Sequence, residues 1–247
     1  MGKLINLEFA KLLTLRAPWV LLGLSQLLIA AGVTGLVLSA DSLRTSTAPV
    51  DAVAHAGLAS LLTLVLGIMA VAGEYRNLTI TDTFLSTPRR ARVIGAKLVA
   101  YASAGAVFAV VNATTAVVAT RVWWAVKGAP LDLGDADLWR TVAGCAGWNV
   151  AFAVVGVGVG ALLRNLTAAV AAALAWIALV EGIVAQLVGS DLARWLPFAA
   201  GSALGNLPAR VGDVRPVSQL AAAIVLTGYA AVLAALAVST TVRRDVT

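Results

Sequence analysis

GEYRNLTITDTFLSTPRRARVIGAK, residues 73–97, is the most charged stretch of a chain that otherwise has a lipid-compatible composition. Glu74, Arg76, Asp82, Arg89, Arg90, Arg92 and Lys97 fall within it, and charge-free runs flank it at 52–73 and 98–120. Each run exceeds the ~20 residues a helix needs to cross ~30 Å of hydrocarbon. The stretch therefore reads as a surface segment between two membrane spans. Three further runs without Asp, Glu, Lys or Arg cover 17–40, 141–163 and 216–242, and another, 165–190, is interrupted only by Glu181.

Composition agrees. Of 247 residues, 60% are hydrophobic and 12% charged, about half the charged share of a soluble domain, and the mean hydropathy is +0.92. The expected fold is an all-α polytopic membrane protein, one transmembrane domain over 1–247. Its six helices are placed at 17–40, 52–73, 94–122, 141–163, 166–188 and 216–242, with a loop at 74–93 and another at 189–215. Cys145 is the only cysteine and His55 the only histidine, so disulfide and thiolate or histidine-cluster metal chemistry find no residues. No catalytic constellation of acid, base and nucleophile is visible. The net charge of +6 is a matter of sidedness rather than of nucleic acid. Eleven of the 18 basic residues fall on the side of the termini and the 74–97 loop with four acids, against seven of each on the other. The positive-inside rule places both termini and that loop in the cytoplasm.

Within the loop, Thr79 followed by Asp82 is a capping-box spacing and predicts a short helix with Phe84 and Leu85 as its apolar residues. Thr87-Pro88 reads as N-cap and first position of the next helix. Before the first span, residues 3–16 place Ile5, Phe9, Leu12 and Leu13 on one helical side and Lys3, Lys11 and Thr14 on another, an amphipathic pattern that Leu7 interrupts.

The block from Glu74 to Lys97 resembles the first cytoplasmic loop of type-2 ATP-binding cassette (ABC) exporter permeases. The resemblance rests on Glu74-Tyr75-Arg76, Thr79-Ile80, Thr83-Phe84-Leu85, Thr87-Pro88-x-Arg90 and Ala96-Lys97. WLPFAAGSAL, residues 195–204, looks like the family's outer segment, and the overall plan matches along the whole chain. The resemblance implies that residues 3–16 form an interfacial elbow helix and that the loop is a coupling helix docking on an ATPase subunit. Glu74, Tyr75, Arg76, Thr79, Asp82, Thr83, Phe84, Leu85, Thr87 and Arg90 would carry that contact. It further implies a bacterial cytoplasmic membrane, export, and a second permease copy or homologue. The chain has no Gly-x4-Gly-Lys-Ser/Thr phosphate loop, so it holds no cofactor of its own; ATP and Mg would belong to the partner subunit.

Other residues admit two readings each. Asn112, Asn149 and Gln186 are candidate linings of a translocation pathway or interhelical hydrogen-bond formers. Glu181 is a gate or pathway residue, or a carboxyl that is protonated or snorkels in the outer half of the fifth helix. Gly156, Gly158 and Gly160 suit close helix packing rather than a dimer seam. Trp123, Trp124, Trp139 and Trp195 are expected as interfacial anchors. The Asn-x-Thr triplets at Asn77, Asn112 and Asn165 are read as chance. An apolar, poorly charged set of spans fits an amphipathic or hydrophobic substrate. The alternatives are an ion-coupled secondary transporter, which calls for several intramembrane titratable groups, an intramembrane enzyme, and a non-transporting membrane anchor or sensor.

Overall fold

A computed structural model describes residues 1–39, 47–87, 89–207 and 216–243. Pro88, the 208–215 part of the expected outer loop and the last four residues lie outside them. The described residues form helices and connections without strands, and six helical segments are long and apolar enough to cross a membrane. The chain is an all-α, multi-pass membrane protein.

Helix α1 (Gly2–Thr14) precedes the first span, α2 (Arg16–Ser39). The break between them has a local cause. Pro18 lacks an N–H for the carbonyl of Thr14 and its ring crowds that group, and the intervening Leu15 is extended at φ −78°, ψ 144°. The second span is α3 (Ala48–Leu58) and α4 (Ser60–Arg76), interrupted at Ala59. A seven-residue helix α5 (Ile80–Ser86) leads to the third span, α6 (Arg90–Val126). At 37 residues, α6 is about 55 Å long and outruns the hydrocarbon layer. The fourth span α7 (Ala136–Leu163) begins where the Asp135 side chain accepts from the Asp137 N–H and ends at a left-handed Arg164.

The fifth span is α8 (Leu166–Ala175), a wide π-turn over Trp176–Val180, and α9 (Glu181–Val188). Short helices α10 (Ser190–Ala193) and α11 (Pro197–Leu204) then lead back to the last span, α12 (Gln219–Arg243). Asn165 caps α8 by accepting from the Ala168 N–H, which gives that Asn-x-Thr triplet a structural purpose.

The expected spans are all present, and four of them differ by more than one residue at an end. The second starts at 48 rather than 52, the third runs 90–126 rather than 94–122, the fourth starts at 136, and the sixth starts at 219. A charge-free criterion stops at Arg90, Arg92 and Arg121, but helical hydrogen bonding does not. Thr87, expected as the N-cap of the next helix, is the C-cap of α5, and α6 starts at Arg90 with Arg89 as N-cap.

Spans α4 and α7 form the centre. A side chain on Gly67 would strike the Ala153 carbonyl, one on Gly156 the Leu64 carbonyl, and one on Gly160 the Ile68 carbonyl. Backbones approach here at a distance only glycine permits. Gly158 lies instead against Leu233 of α12. These small residues pack helices within one chain. Trp148 of α7 fills the adjoining space, fully buried and edge-on to Phe152 and Phe198 at 5.8 and 5.3 Å. Trp124, expected at an interface, is also fully buried. It packs in an apolar cluster with Val53, Ala116 and Leu138, whereas Trp139 and Trp195 are exposed as anticipated.

Candidate functional site at the terminal side

Polar contacts fix which elements share the side that carries α1. Lys11 of α1 meets Glu74 at the end of α4. Arg90 at the start of α6 donates to the Thr241 carbonyl near the end of α12 at 3.4 Å. The Arg164 guanidinium, in the turn between α7 and α8, lies 5.5 Å from the Tyr75 ring centroid. Helix α5 bridges α4 and α6 on this side.

Under α5 lies a group of four charges. Lys97 of α6 has no exposed surface. Its Nζ donates to Glu74 Oε1 at 2.7 Å and to Glu8 Oε2 and Oε1 at 3.0 and 3.1 Å. Lys11 Nζ completes the group, at 2.5 Å from Glu74 Oε1 and 2.9 Å from Glu8 Oε1. Two acids and two bases balance, and they tie α1, α4 and α6 together. Lys97 is thus a basic residue inside the third span, neutralised there by partners from α1 and α4. Burial opposes the charge on Lys11, but hydrogen bonds and attraction from Glu74 and Glu8 outweigh it and raise its pKa above the ordinary lysine value. A raised lysine pKa stabilises the fold at all pH values below the unfolded lysine pKa of about 10.4. That contribution is lost only as pH climbs through the higher folded value.

Glu8 is among the four acids of the terminal side, and Lys97 among its eleven bases. The signal for a buried role was periodic. Glu8 stands three residues after Ile5 and four before Leu12, and Lys97 three before Ala100 and four before Tyr101, so both charges sit on apolar faces. Leu12, not Leu13, is the buried member of that N-terminal face, and Leu13 is exposed.

Helix α5 has two different faces. Ile80 and Phe84 are buried with Val93, and Tyr75 packs beside them. The Arg90 guanidinium stands 5.2 Å from the Phe84 ring centroid. Thr83 and Thr87 are half-buried, whereas Arg76, Thr79, Asp82 and Leu85 are exposed. Thr79 is the N-cap residue, as the spacing predicted, but its side chain makes no capping hydrogen bond; its hydroxyl does not reach back into the first turn. Phe84, expected to face a partner, faces the protein, because the i, i+4 pair Ile80 and Phe84 falls on the side toward α6. Leu85 takes the outward position at 76% exposure. The turn before α5 adds Leu78, 81% exposed and held at φ +58°, a left-handed conformation costly for a residue with a branched side chain.

The remaining candidates separate into two places. Asn112 and Asn149 are fully buried. Asn112 Oδ1 accepts from Ser25 and Gln26 at 2.9 and 2.8 Å, and its Nδ2 donates to Asn149 Oδ1 at 3.2 Å. Asn149 Nδ2 then donates to the Ala56 carbonyl, and Thr115 donates to Gln26 Oε1. This chain of bonds stitches α2, α3, α6 and α7, so of the two readings of Asn112 and Asn149 the interhelical one describes their contacts. Glu181 and Gln186 lie elsewhere, on the wall of a cavity between α9, α10 and α11. Among the described residues, Glu181 pairs with no base, and it does not snorkel. Its Oε1 accepts from Trp176 Nε1 and the Phe198 N–H, and its Oε2 from the Ala199 N–H. It anchors the start of α11 to the fifth span just after the π-turn.

In comparison with known proteins, the chain matches no family model and no curated protein.

Proposed function

We propose that this chain is the permease subunit of an ABC exporter, docked through α5 on a separate ATPase subunit. That subunit binds ATP and Mg and supplies the energy. In this reading the membrane is a bacterial cytoplasmic membrane, the terminal side faces the cytoplasm, and a second permease copy or homologue completes the transmembrane unit. The cargo is amphipathic or hydrophobic.

The observation that carries the proposal is the division of α5 into a stapled inner face and an outer face on which Leu85 stands exposed among polar residues. Ile80 and Phe84 fix the helix to Val93, leaving Leu85 and Leu78 unburied. A strained residue with no packing inside its own chain points to a use outside it. Two exposed leucines beside Asp82 and Arg76 make an apolar anchor with a polar rim, the usual arrangement of a protein–protein contact. The resemblance of residues 74–97 to the coupling loop of ABC permeases supports the same partner.

The geometry beneath α5 suits transmission. A displacement of α5 acts directly on the end of α4 and the start of α6, between which it is strung. Lys97 ties both to α1 through Glu74 and Glu8, and Arg90 ties α6 to the end of α12. The ends of four helices on this side thus move as one body, while the Asn112–Asn149 bonds hold the spans together deeper in the bundle. The test is affinity purification of the tagged full chain in mild detergent. A co-purifying protein with a phosphate loop, present in near-stoichiometric amount, is the expected result. Recovery of the chain without any such ATPase, from cells expressing the neighbouring genes, would refute the proposal.

A further inference from the structure

On the side opposite the termini, α9, α10 and α11 enclose a cavity of about 640 Å³, within the size range of small-molecule sites. Its walls are mainly apolar, with Ile177, Ile183, Leu196 and Phe198 among them, and two charged residues, Glu181 and Arg194, reach it. These two are in opposite conditions. Both oxygens of Glu181 are already satisfied by three N–H donors, so the acid needs no cation. Arg194 lacks an equivalent set. Its Nη1 approaches Asp191 at 3.5 Å, but that carboxylate is 88% exposed. Its guanidinium also stands 5.7 Å from the Trp195 ring centroid. A guanidinium carries five N–H donors, and with its side chain one-third exposed Arg194 has donors to offer an acceptor supplied by a ligand.

We infer that this cavity binds a long-chain amphiphile with an anionic head, its hydrocarbon chain against the apolar walls and its head accepting from Arg194. An amphipathic cation is the less suited occupant, because both oxygens of the acid are taken whereas the guanidinium has donors to spare. The inference does not depend on an ATPase partner. An anionic bilayer phospholipid and a free long-chain acid share this chemistry.

The test uses the full-length chain in neutral phosphatidylcholine nanodiscs, labelled with a diazirine-bearing palmitate and, separately, with the matching alcohol. Adducts are mapped by mass spectrometry. The acid is expected to concentrate on 177–199, and Arg194→Gln to lower its labelling there about tenfold, the loss expected for one charge-assisted hydrogen bond. Arg194→Lys should restore part of it, and labelling by the alcohol should not change with either. Gly182→Trp should exclude both probes. A side chain at Gly182, which lines the cavity, meets no atom within 4 Å at its Cβ, so the variant tests occupancy without displacing the wall. Repeating the labelling in phosphatidylglycerol discs separates the sources: suppression assigns the site to a bilayer phospholipid, persistence to a free acid, and either supports the anionic class. Adducts spread evenly over the lipid-facing helices, equal enrichment of acid and alcohol, or insensitivity to both Arg194→Gln and Gly182→Trp would overturn the inference.

Discussion

Replacing Lys97 by Met is expected to be among the most damaging single changes in the molecule. The ammonium is fully buried and is the charge that Glu8 and Glu74 share, at 3.0 and 2.7 Å. Without it, two buried carboxylates must share Lys11, whose side chain is 39% exposed. Removing one member of a buried ion pair typically costs about 3–5 kcal/mol, because a charge is stranded in low dielectric. Removing an exposed member costs about 0–1 kcal/mol, so Lys11→Met serves as the comparison. Lys97→Met combined with Glu8→Gln leaves a balanced Glu74–Lys11 pair, and an apolar replacement of a buried pair is often nearly neutral. The double variant should therefore be more stable than Lys97→Met alone, by about 2 kcal/mol or more. Unfolding free energies of the four proteins, measured by steric trapping in bicelles, decide it. If Lys97→Met is no worse than Lys11→Met, or if the second substitution adds its own loss to the first, the four charges are not the coupled group described.

The close approach of α4 and α7 makes a second expectation. Gly160→Val should destabilise the fold by about 1–3 kcal/mol, as overpacking does, since its side chain meets the Ile68 backbone; Gly35→Val, where a side chain meets nothing within 4 Å, is the control in the same thermal assay. A third concerns Glu181. Glu181→Ala leaves the Phe198 and Ala199 N–H groups without their acceptor, so amide exchange over 198–204 should accelerate while exchange in α4 and α7 stays unchanged. Unchanged exchange there would show that Glu181 does not hold α11.

Much of the fold was legible because hydrocarbon thickness imposes a length and a composition on every span. The charge-free runs 17–40 and 141–163 needed nothing more. The boundaries of the third span were not legible, because helical hydrogen bonding continues through Arg90 and Arg92 beyond the apolar run. The buried role of Lys97 was not legible either, because the partners that neutralise it are distant in sequence. Glu74 is 23 residues away and Glu8 is 89. Sequence marked α5 as a short helix with Thr79 at its N-cap, but it paired Phe84 with Leu85 rather than Ile80 and so missed the helix's rotation. Which of Phe84 and Leu85 faces outward is decided by Val93 and Tyr75, packing partners that local spacing does not identify. The cavity beside Arg194 was beyond reach for the same reason, since it is formed by α11 folding back between helices rather than by any contiguous motif. Glu181 stood out as the acid in an apolar run, but its partners are backbone N–H groups, which no side-chain pattern reveals.

In the proposed function, α5 docks on an ATPase through Leu85, with Leu78 of the preceding turn beside it. The most direct measurement is the affinity of the ATPase subunit for the full chain in nanodiscs, compared among the unmodified protein, Leu85→Ala and Leu78→Ala. Burying one large apolar side chain is worth roughly 1.5–3 kcal/mol, and ~1.4 kcal/mol is one decade. Leu85→Ala should thus weaken binding about tenfold or more, with Leu78→Ala acting in the same direction and the fold of both variants intact. Leu85→Ala and Leu78→Ala chains that bind the ATPase as tightly as the unmodified one would contradict the account.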